Sequence, residues 1–346
     1  MAENAQNPAE DDRTDDDTSS IGGSSVEEST ASLRSSILDY RRENGRTYHR
    51  VSDGSYLAPN DEQEQDRLDF SHHLWKLTYD GEPCNCPKKT GAKRVLDIGT
   101  GTGIWALDYG KSTELPAIAC HYAKPLKRMI TRNHFVPPNC QFEVDDVEKE
   151  WTWSEAFDFI FSRSMNAAFK DRAEFVAKAF ENLEPGGYLE IQDNVFPLLC
   201  TDGTMPEDSL IYQWSKLIME GTDLIGQPLN DAPKFKKMLE DAGFEDVQER
   251  KEIWPIGTWP ERGTKEHELG MWCRSITMES LEALSLALFT RVLGWSREET
   301  VVFCAGAREE LRQQKVHAYF DVYATWGRKP EKQEESQEGP AGVSAV

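Results

Sequence analysis

From residue 60 onward, apolar positions recur at helical and strand spacings that alternate along the chain. Residues 61–81, DEQEQDRLDFSHHLWKLTYDG, predict a helix: Asn60 can cap it, acids fill its first turn, and Gly81 stops it. Leu68, Trp75 and Leu77 give that helix one apolar face. After a loop around Cys84, residues 94–98 read as a buried strand, and a glycine-rich turn feeds a helix over about 102–109. Residues 141–145 (QFEVD) and 157–162 (FDFIFS) have strand character. Phe175, Val176, Ala179, Phe180 and Leu183 share a helical face, and Glu184-Pro-Gly-Gly187 predicts its end before a strand over 188–192.

The second half predicts helices over 206–220 and 232–242, a strand over 247–254, a helical block over 265–313 and a last strand over 317–326. Within the block, LEALSLALF (281–289) is apolar on most sides and predicts a buried core or interface helix. The alternation of strand and helix implies an α/β fold with a doubly wound, mostly parallel sheet and added helices, in which ligands sit beyond the carboxyl ends of the strands.

Composition changes this picture mainly at the ends. Of 346 residues only 38% are hydrophobic, which is low for a chain folded throughout. Residues 1–33 hold nine acids against Arg13 alone, so 1–38 are expected to be a disordered acidic tail. The Glu- and Gln-rich residues 329–346 read the same way, leaving 39–328 as the folded domain.

A formal charge of −22 argues against direct nucleic-acid binding. No apolar run reaches the roughly 18 residues that span a bilayer, and the N-terminus lacks a secretory pattern. Seven cysteines at irregular spacing suit a reducing cytoplasm or nucleus. Cys84-Asn-Cys86 has no second Cys or His pair at zinc spacing, so no metal is expected. His72 and His73 point about 100° apart on a helix and read as surface histidines.

The turn in VLDIGTGTGIW, Val95 to Trp105, brings backbone N–H groups to a ligand and on its own fits NAD, FAD or S-adenosylmethionine. The dinucleotide fingerprint needs a third glycine where Ile104 stands. The pattern here is Gly99-Thr100-Gly101-Thr-Gly103, preceded by Asp97, whose carboxylate suits the ammonium of a methionine-like ligand and repels a pyrophosphate. In Glu143-Val-Asp145-Asp146-Val147, one carboxylate can accept from an adenine amino group, and the following N–H can reach a ring nitrogen.

These motifs resemble the LaeA-like family of fungal S-adenosylmethionine-dependent methyltransferases, named after a regulator of secondary metabolism. The resemblance is carried by Glu43-Asn-Gly-Arg-Thr-Tyr-His49, by Tyr56 to Asp69 and by the glycine turn with Ile104-Trp105. It continues through Val136-Pro-Pro-Asn139, Phe142 to Val147, Trp151, Phe157 to Arg163 and the Glu184-Pro-Gly-Gly187 turn, covering most of residues 40–330. It implies a class I methyltransferase fold with helices roofing the pocket. It also implies a cofactor set of Tyr48, Asp97, Gly99, Thr100, Gly101, Gly103, Asp145, Asp146, Val147 and Ser162, with residues 45–49 near the methionine end. Two functions are compatible with it: methylation of a small molecule in a secondary-metabolite pathway, or regulation through protein partners.

One stretch departs from the family. An acid at the tip of the second strand, about 20 residues past the glycine turn, should bind the ribose. No Asp or Glu occurs between Glu114 and Glu143, and the usual strand is not recognisable within residues 111–134. A frameshift or misread splice boundary, a true divergence and a loss of cofactor binding all remain open. No general base is evident; Asp193 and His267 are candidates, and Trp214, Trp254, Trp259 and Trp272 could wall a substrate pocket.

Overall fold

The computed structural model describes residues 40–49, 57–112, 117–122, 138–144 and 147–331. A hairpin of β1 (Tyr40–Glu43) and β2 (Arg46–His49) leads into α1 (Glu62–Thr78). Asp61, not Asn60, caps α1, its side chain accepting from Glu64 N at 3.1 Å while Arg46 Nη2 donates to it at 2.7 Å. Asn60 is buried instead, its side-chain oxygen accepting from the Thr47 hydroxyl. The buried face of α1 is Leu74 and Trp75 with Glu64, Gln65, His72 and Thr78, so His72 is a core residue and not a surface one. His73 is exposed and packs against Trp272.

The sheet begins with β3 (Arg94–Ile98), followed by α2 (Ile104–Ser112), β4 (Ala117–Tyr122), β5 (Cys140–Val144) and β6 (Phe157–Arg163). Then come α3 (Arg172–Glu181), capped by Asp171, and β7 (Leu183–Asn194). The second half contains α4 (Leu210–Leu224), α5 (Phe235–Asp241), β8 (Glu245–Pro255), α6 (Lys265–Arg291), α7 (Arg297–Gln313) and β9 (Tyr319–Arg328). The helical block is thus two helices, with Ser296 and Glu299 forming a reciprocal cap where the second starts. The order across the sheet is β5-β4-β3-β6-β7-β9-β8, with only β9 antiparallel to its neighbours. This order is the class I methyltransferase topology.

Two differences from the sequence pattern have physical causes. Glu184-Pro-Gly-Gly187 lies inside β7 as a bulge, because pairing with β6 jumps from Phe157/Leu183 to Phe159/Tyr188. Its extra residues are tied down by Gly186 N to Lys329 O and Lys329 N to Gly187 O. The second strand is present as β4, paired parallel to both β3 and β5. Neighbours on both sides supply a full hydrogen-bond ladder to a sequence with weak strand signals.

Both faces of the sheet are buried, which explains its near-continuous apolar strands. Leu96, Ile98 and Ile160 face a core shared with α3 and α5, whereas Val95, Phe159 and Phe161 face Trp105 and Tyr109 of α2. A third core joins α1, α4, α6 and α7 to β8 and β9. LEALSLALF sits within it, and Leu281, Leu286, Leu288 and Phe289 are buried. A Cβ on Gly221 of α4 would lie 2.7 Å from Leu288, so the close approach of α4 to α6 needs that glycine.

Candidate active site

The glycine turn joins β3 to α2. Gly99, Gly101 and Gly103 all take positive φ, which side-chain-bearing residues adopt at a cost. At Gly99 a Cβ would fall 1.9 Å from Met165 Sδ, so a side chain there would displace Met165 as well as strain the backbone. Thr102 Oγ1 donates to Asp69 Oδ1 at 2.6 Å, fixing the turn to α1.

Several candidate cofactor residues converge at this end of the sheet. Asp97 in β3 and Ser162 in β6 are buried, and Ser162 pairs in register with Ile98. Asp97 Oδ2, Thr100 Oγ1, Ser162 Oγ and Tyr48 Oη are buried atoms with no hydrogen-bond partner among the described residues. Buried polar atoms are rarely left so, and those of Asp97, Thr100 and Ser162, on the glycine turn and on the paired strands β3 and β6, fit residues that complete their bonds on a ligand. Burial pushes the Asp97 carboxyl up to about 7, against the pull of the Thr100 hydroxyl and of Arg163. Tyr48 is buried under the Arg291 guanidinium, 5.0 Å from its ring, and burial pushes its phenol up to about 12. Arg291 is held in turn by Glu43. Val147 places its side chain in the core beside Leu96 and Ile98, while Asp145 and Asp146 lie outside the described residues.

The residue after Ser162 was not singled out by sequence reasoning. Arg163 Nη2 donates to His72 Nδ1 at 2.8 Å, and His72 Nε2 lies 3.1 Å from Asp108 Oδ2. Because a guanidinium only donates, His72 Nδ1 must accept, which places the imidazole proton on Nε2, facing Asp108. Burial lowers His72 to about 4, with Arg163 adding to it and Asp108 opposing, so the ring is neutral near pH 7. Burial also lowers Arg163 to about 10, opposed by Asp97, so it stays charged.

Gly99 and Gly101 line a cavity of about 270 Å³ that continues under α4 and α6. Its wall is mostly apolar and includes Trp214, Trp254, Phe196 and Ile276. Both indole N–H groups are satisfied elsewhere, Trp214 on Ser285 Oγ and Trp254 on Thr78 Oγ1. Among the described residues, no Asp, Glu, His, Lys or Tyr lines this cavity. Cys273 does, but burial pushes its thiol up to about 12, so it offers no thiolate near neutral pH.

The other candidates fall elsewhere. Asp193 is fully buried within β7, with Arg172 Nη2 at 3.4 Å, and does not line the cavity. His267 sits in the first turn of α6, its Nδ1 2.9 Å from Pro260 O. Trp259 stacks on His317, and Trp272 packs on Phe70 and His73. Cys84, Cys86 and Glu190 bring ligand-type atoms within 4.8 Å of one another, a grouping hidden from the sequence by the distance of Glu190. The Glu190 carboxylate is already taken up by Asn85 N, Cys86 N and Gln192 Nε2, which makes it a clamp on the Cys84 loop.

A family model described as a methyltransferase domain matches residues 51–249. The chain belongs to this methyltransferase family. It is 36% identical to methyltransferase pytC of Aspergillus terreus over 312 residues, 88% of this chain and 93% of that protein. It is 30% identical to probable methyltransferase tdiE of Emericella nidulans, covering 77% of this chain and 82% of that one. Secondary metabolism regulator LAE1 of Cochliobolus heterostrophus is 32% identical, covering 84% of this chain and 95% of its own. The methyltransferase uses S-adenosylmethionine as its methyl donor. Among the described residues, no helix is long and apolar enough to cross a membrane.

Proposed function

We propose that this methyltransferase acts on an apolar small molecule of a secondary-metabolite pathway, held in the cavity beneath α4 and α6. The observation that carries this reading is the continuity of that aromatic-walled cavity with Gly99 and Gly101. Bound S-adenosylmethionine supplies an electrophilic methyl group on a sulfonium. In the proposed arrangement Asp97 pairs with the ammonium of its methionine moiety, and the turn of Gly99, Thr100, Gly101 and Gly103 packs against it. The free hydroxyls of Ser162 and Tyr48 complete their hydrogen bonds nearby, and Asp145, Asp146 and Val147 take the adenine. The chain's contribution to rate is then positioning and exclusion of water.

With no carboxylate, imidazole or amine on the cavity wall among the described residues, the acceptor arrives as a competent nucleophile. Six described cysteines are free thiols, which supports a cytoplasmic or nuclear setting. Likeness to LAE1 over most of the chain supports a second reading, regulation through protein partners.

Titration calorimetry with S-adenosylhomocysteine, followed by a methyl-transfer assay on extracts of the producing pathway, tests the enzymatic reading. Saturable binding and a methylated small molecule are expected. A folded protein that gives no binding heat excludes it.

A further inference from the structure

Among the described residues two charged side chains line the cavity, and they differ in one respect. Arg67 is neutralised by Glu64, its Nη2 and Nε donating to the two carboxylate oxygens at 2.6 and 2.8 Å. Arg163 has no carboxylate within ion-pair distance among the described residues; its close partner is the neutral ring of His72. Asp97, Asp108 and Glu190 act on it only from beyond that distance, and a guanidinium without a directly paired anion on a mostly apolar wall is costly. Its position is fixed, because Asp108 orients His72 and His72 orients Arg163. Lys76 also reaches Asp108, at 3.0 Å, so the far end of this chain of contacts is itself anchored.

We propose that Arg163 anchors the carboxylate of the acceptor, so that the reaction is methyl-ester formation on an apolar carboxylic acid. This rests on the cavity being the acceptor site. A carboxylic acid is ionised near pH 7 and needs no base, which matches a wall that offers none among the described residues. A phenol would need a base to remove its proton, and an ammonium acceptor would meet the positive charge of Arg163. In the transfer, a carboxylate oxygen of the acceptor donates a lone pair to the methyl carbon, and a C–O bond forms. The C–S bond breaks with its electron pair staying on sulfur, giving a neutral thioether and a neutral ester. No proton is taken up or released.

The guanidinium could instead meet the carboxylate of the cofactor, and the two sources are separable. Of the cofactor candidates, Gly99 and Gly101 line the cavity together with Arg163, whereas Asp97, Thr100, Gly103 and Ser162 do not. Binding of S-adenosylhomocysteine to Arg163→Gln separates the two sources.

The test uses the full chain saturated with S-adenosylhomocysteine and three probes, 4-phenylbutyrate, indole-3-butyrate and dodecanoate, each beside its primary amide. Acids are expected to bind about tenfold or more tightly than amides, the ratio for a charge-assisted pair. Arg163→Gln is expected to erase that ratio and leave S-adenosylhomocysteine binding unchanged, whereas Arg163→Lys retains part of the ratio. Methyl esters of the preferred acids, detected by mass spectrometry, are the matching product.

Equal binding of acids and amides by the wild type, or no binding of any acid, overturns the proposal without any variant having to fold. So does an acid preference that survives Arg163→Gln. If Arg163→Gln weakens S-adenosylhomocysteine but not S-adenosyl-3-thiopropylamine, which lacks the carboxylate, the residue serves the cofactor and the proposal falls. Failure of the wild type to bind S-adenosylhomocysteine at all is a different result, and it removes the underlying methyltransferase reading as well.

Discussion

Arg163 Nη2 lies 2.8 Å from His72 Nδ1, so a histidine on the first helix positions the arginine at the end of β6. Only a neutral imidazole can accept that bond, and burial keeps His72 neutral down to about 4. One contribution to the pH dependence of stability follows from this pair.

An exposed imidazole titrates near 6.5, so between about 4 and 6.5 the unfolded chain binds a proton at His72 that the folded chain does not. The His72 contribution to stability is therefore intact above this window and falls as pH drops through it, by about 2 kcal/mol at pH 5. The raised carboxyls of Asp97 and Asp193 act in the opposite sense, so the measurement is a difference. Urea unfolding of wild type and His72→Gln at pH 7 and pH 5 should show the larger acid loss in the wild type. Equal losses would refute the assignment.

Asp97, at about 7 in the unliganded protein, must be ionised to hold an ammonium. Affinity for S-adenosylhomocysteine is expected to rise with pH up to about 7 and to level off above it, with a proton released on binding at pH 6. Calorimetry in buffers of different ionisation enthalpy counts that proton. Asp97→Asn should remove the pH dependence and weaken binding by about tenfold or more.

Gly99→Ala meets both a positive φ and Met165 Sδ, whereas Gly203→Ala meets a positive φ in open space. The second substitution should cost about 1 kcal/mol and the first clearly more, by about 1–3 kcal/mol of overpacking. Thermal unfolding of the two variants separates conformational strain from collision.

Leu284 lines the cavity without belonging to the glycine turn or its neighbours. Leu284→Trp should fill acceptor space, abolishing or strongly slowing methyl transfer while S-adenosylhomocysteine binds as before. Loss of both together would place the cofactor itself in this cavity.

The Glu190 clamp needs no metal, so chelator treatment should leave the melting temperature unchanged. Glu190→Gln should lower stability by about 1–3 kcal/mol, because one charged acceptor serves two backbone N–H groups of the Cys84 loop.

What the sequence determined by itself is local. Glycines spaced G-x-G-x-G after an apolar run dictate a strand, a turn with positive φ and a helix, because few other backbone paths suit those residues. Continuous apolar runs likewise required a sheet covered on both faces, and LEALSLALF required burial. Family membership followed from the same short motifs.

Tertiary structure decided what local preference leaves open. Residues 117–122 carry little strand signal and became β4 because β3 and β5 flank them. His72 looked like a surface residue until α2 and β6 buried it, and its partner Arg163 lies 91 positions away. The cavity draws its wall from residues as far apart as Leu57 and Phe320. The freedom of its described wall from bases, and the lack of a directly paired carboxylate at Arg163 among the described residues, depend on which side chains meet across that distance, and packing alone sets those meetings.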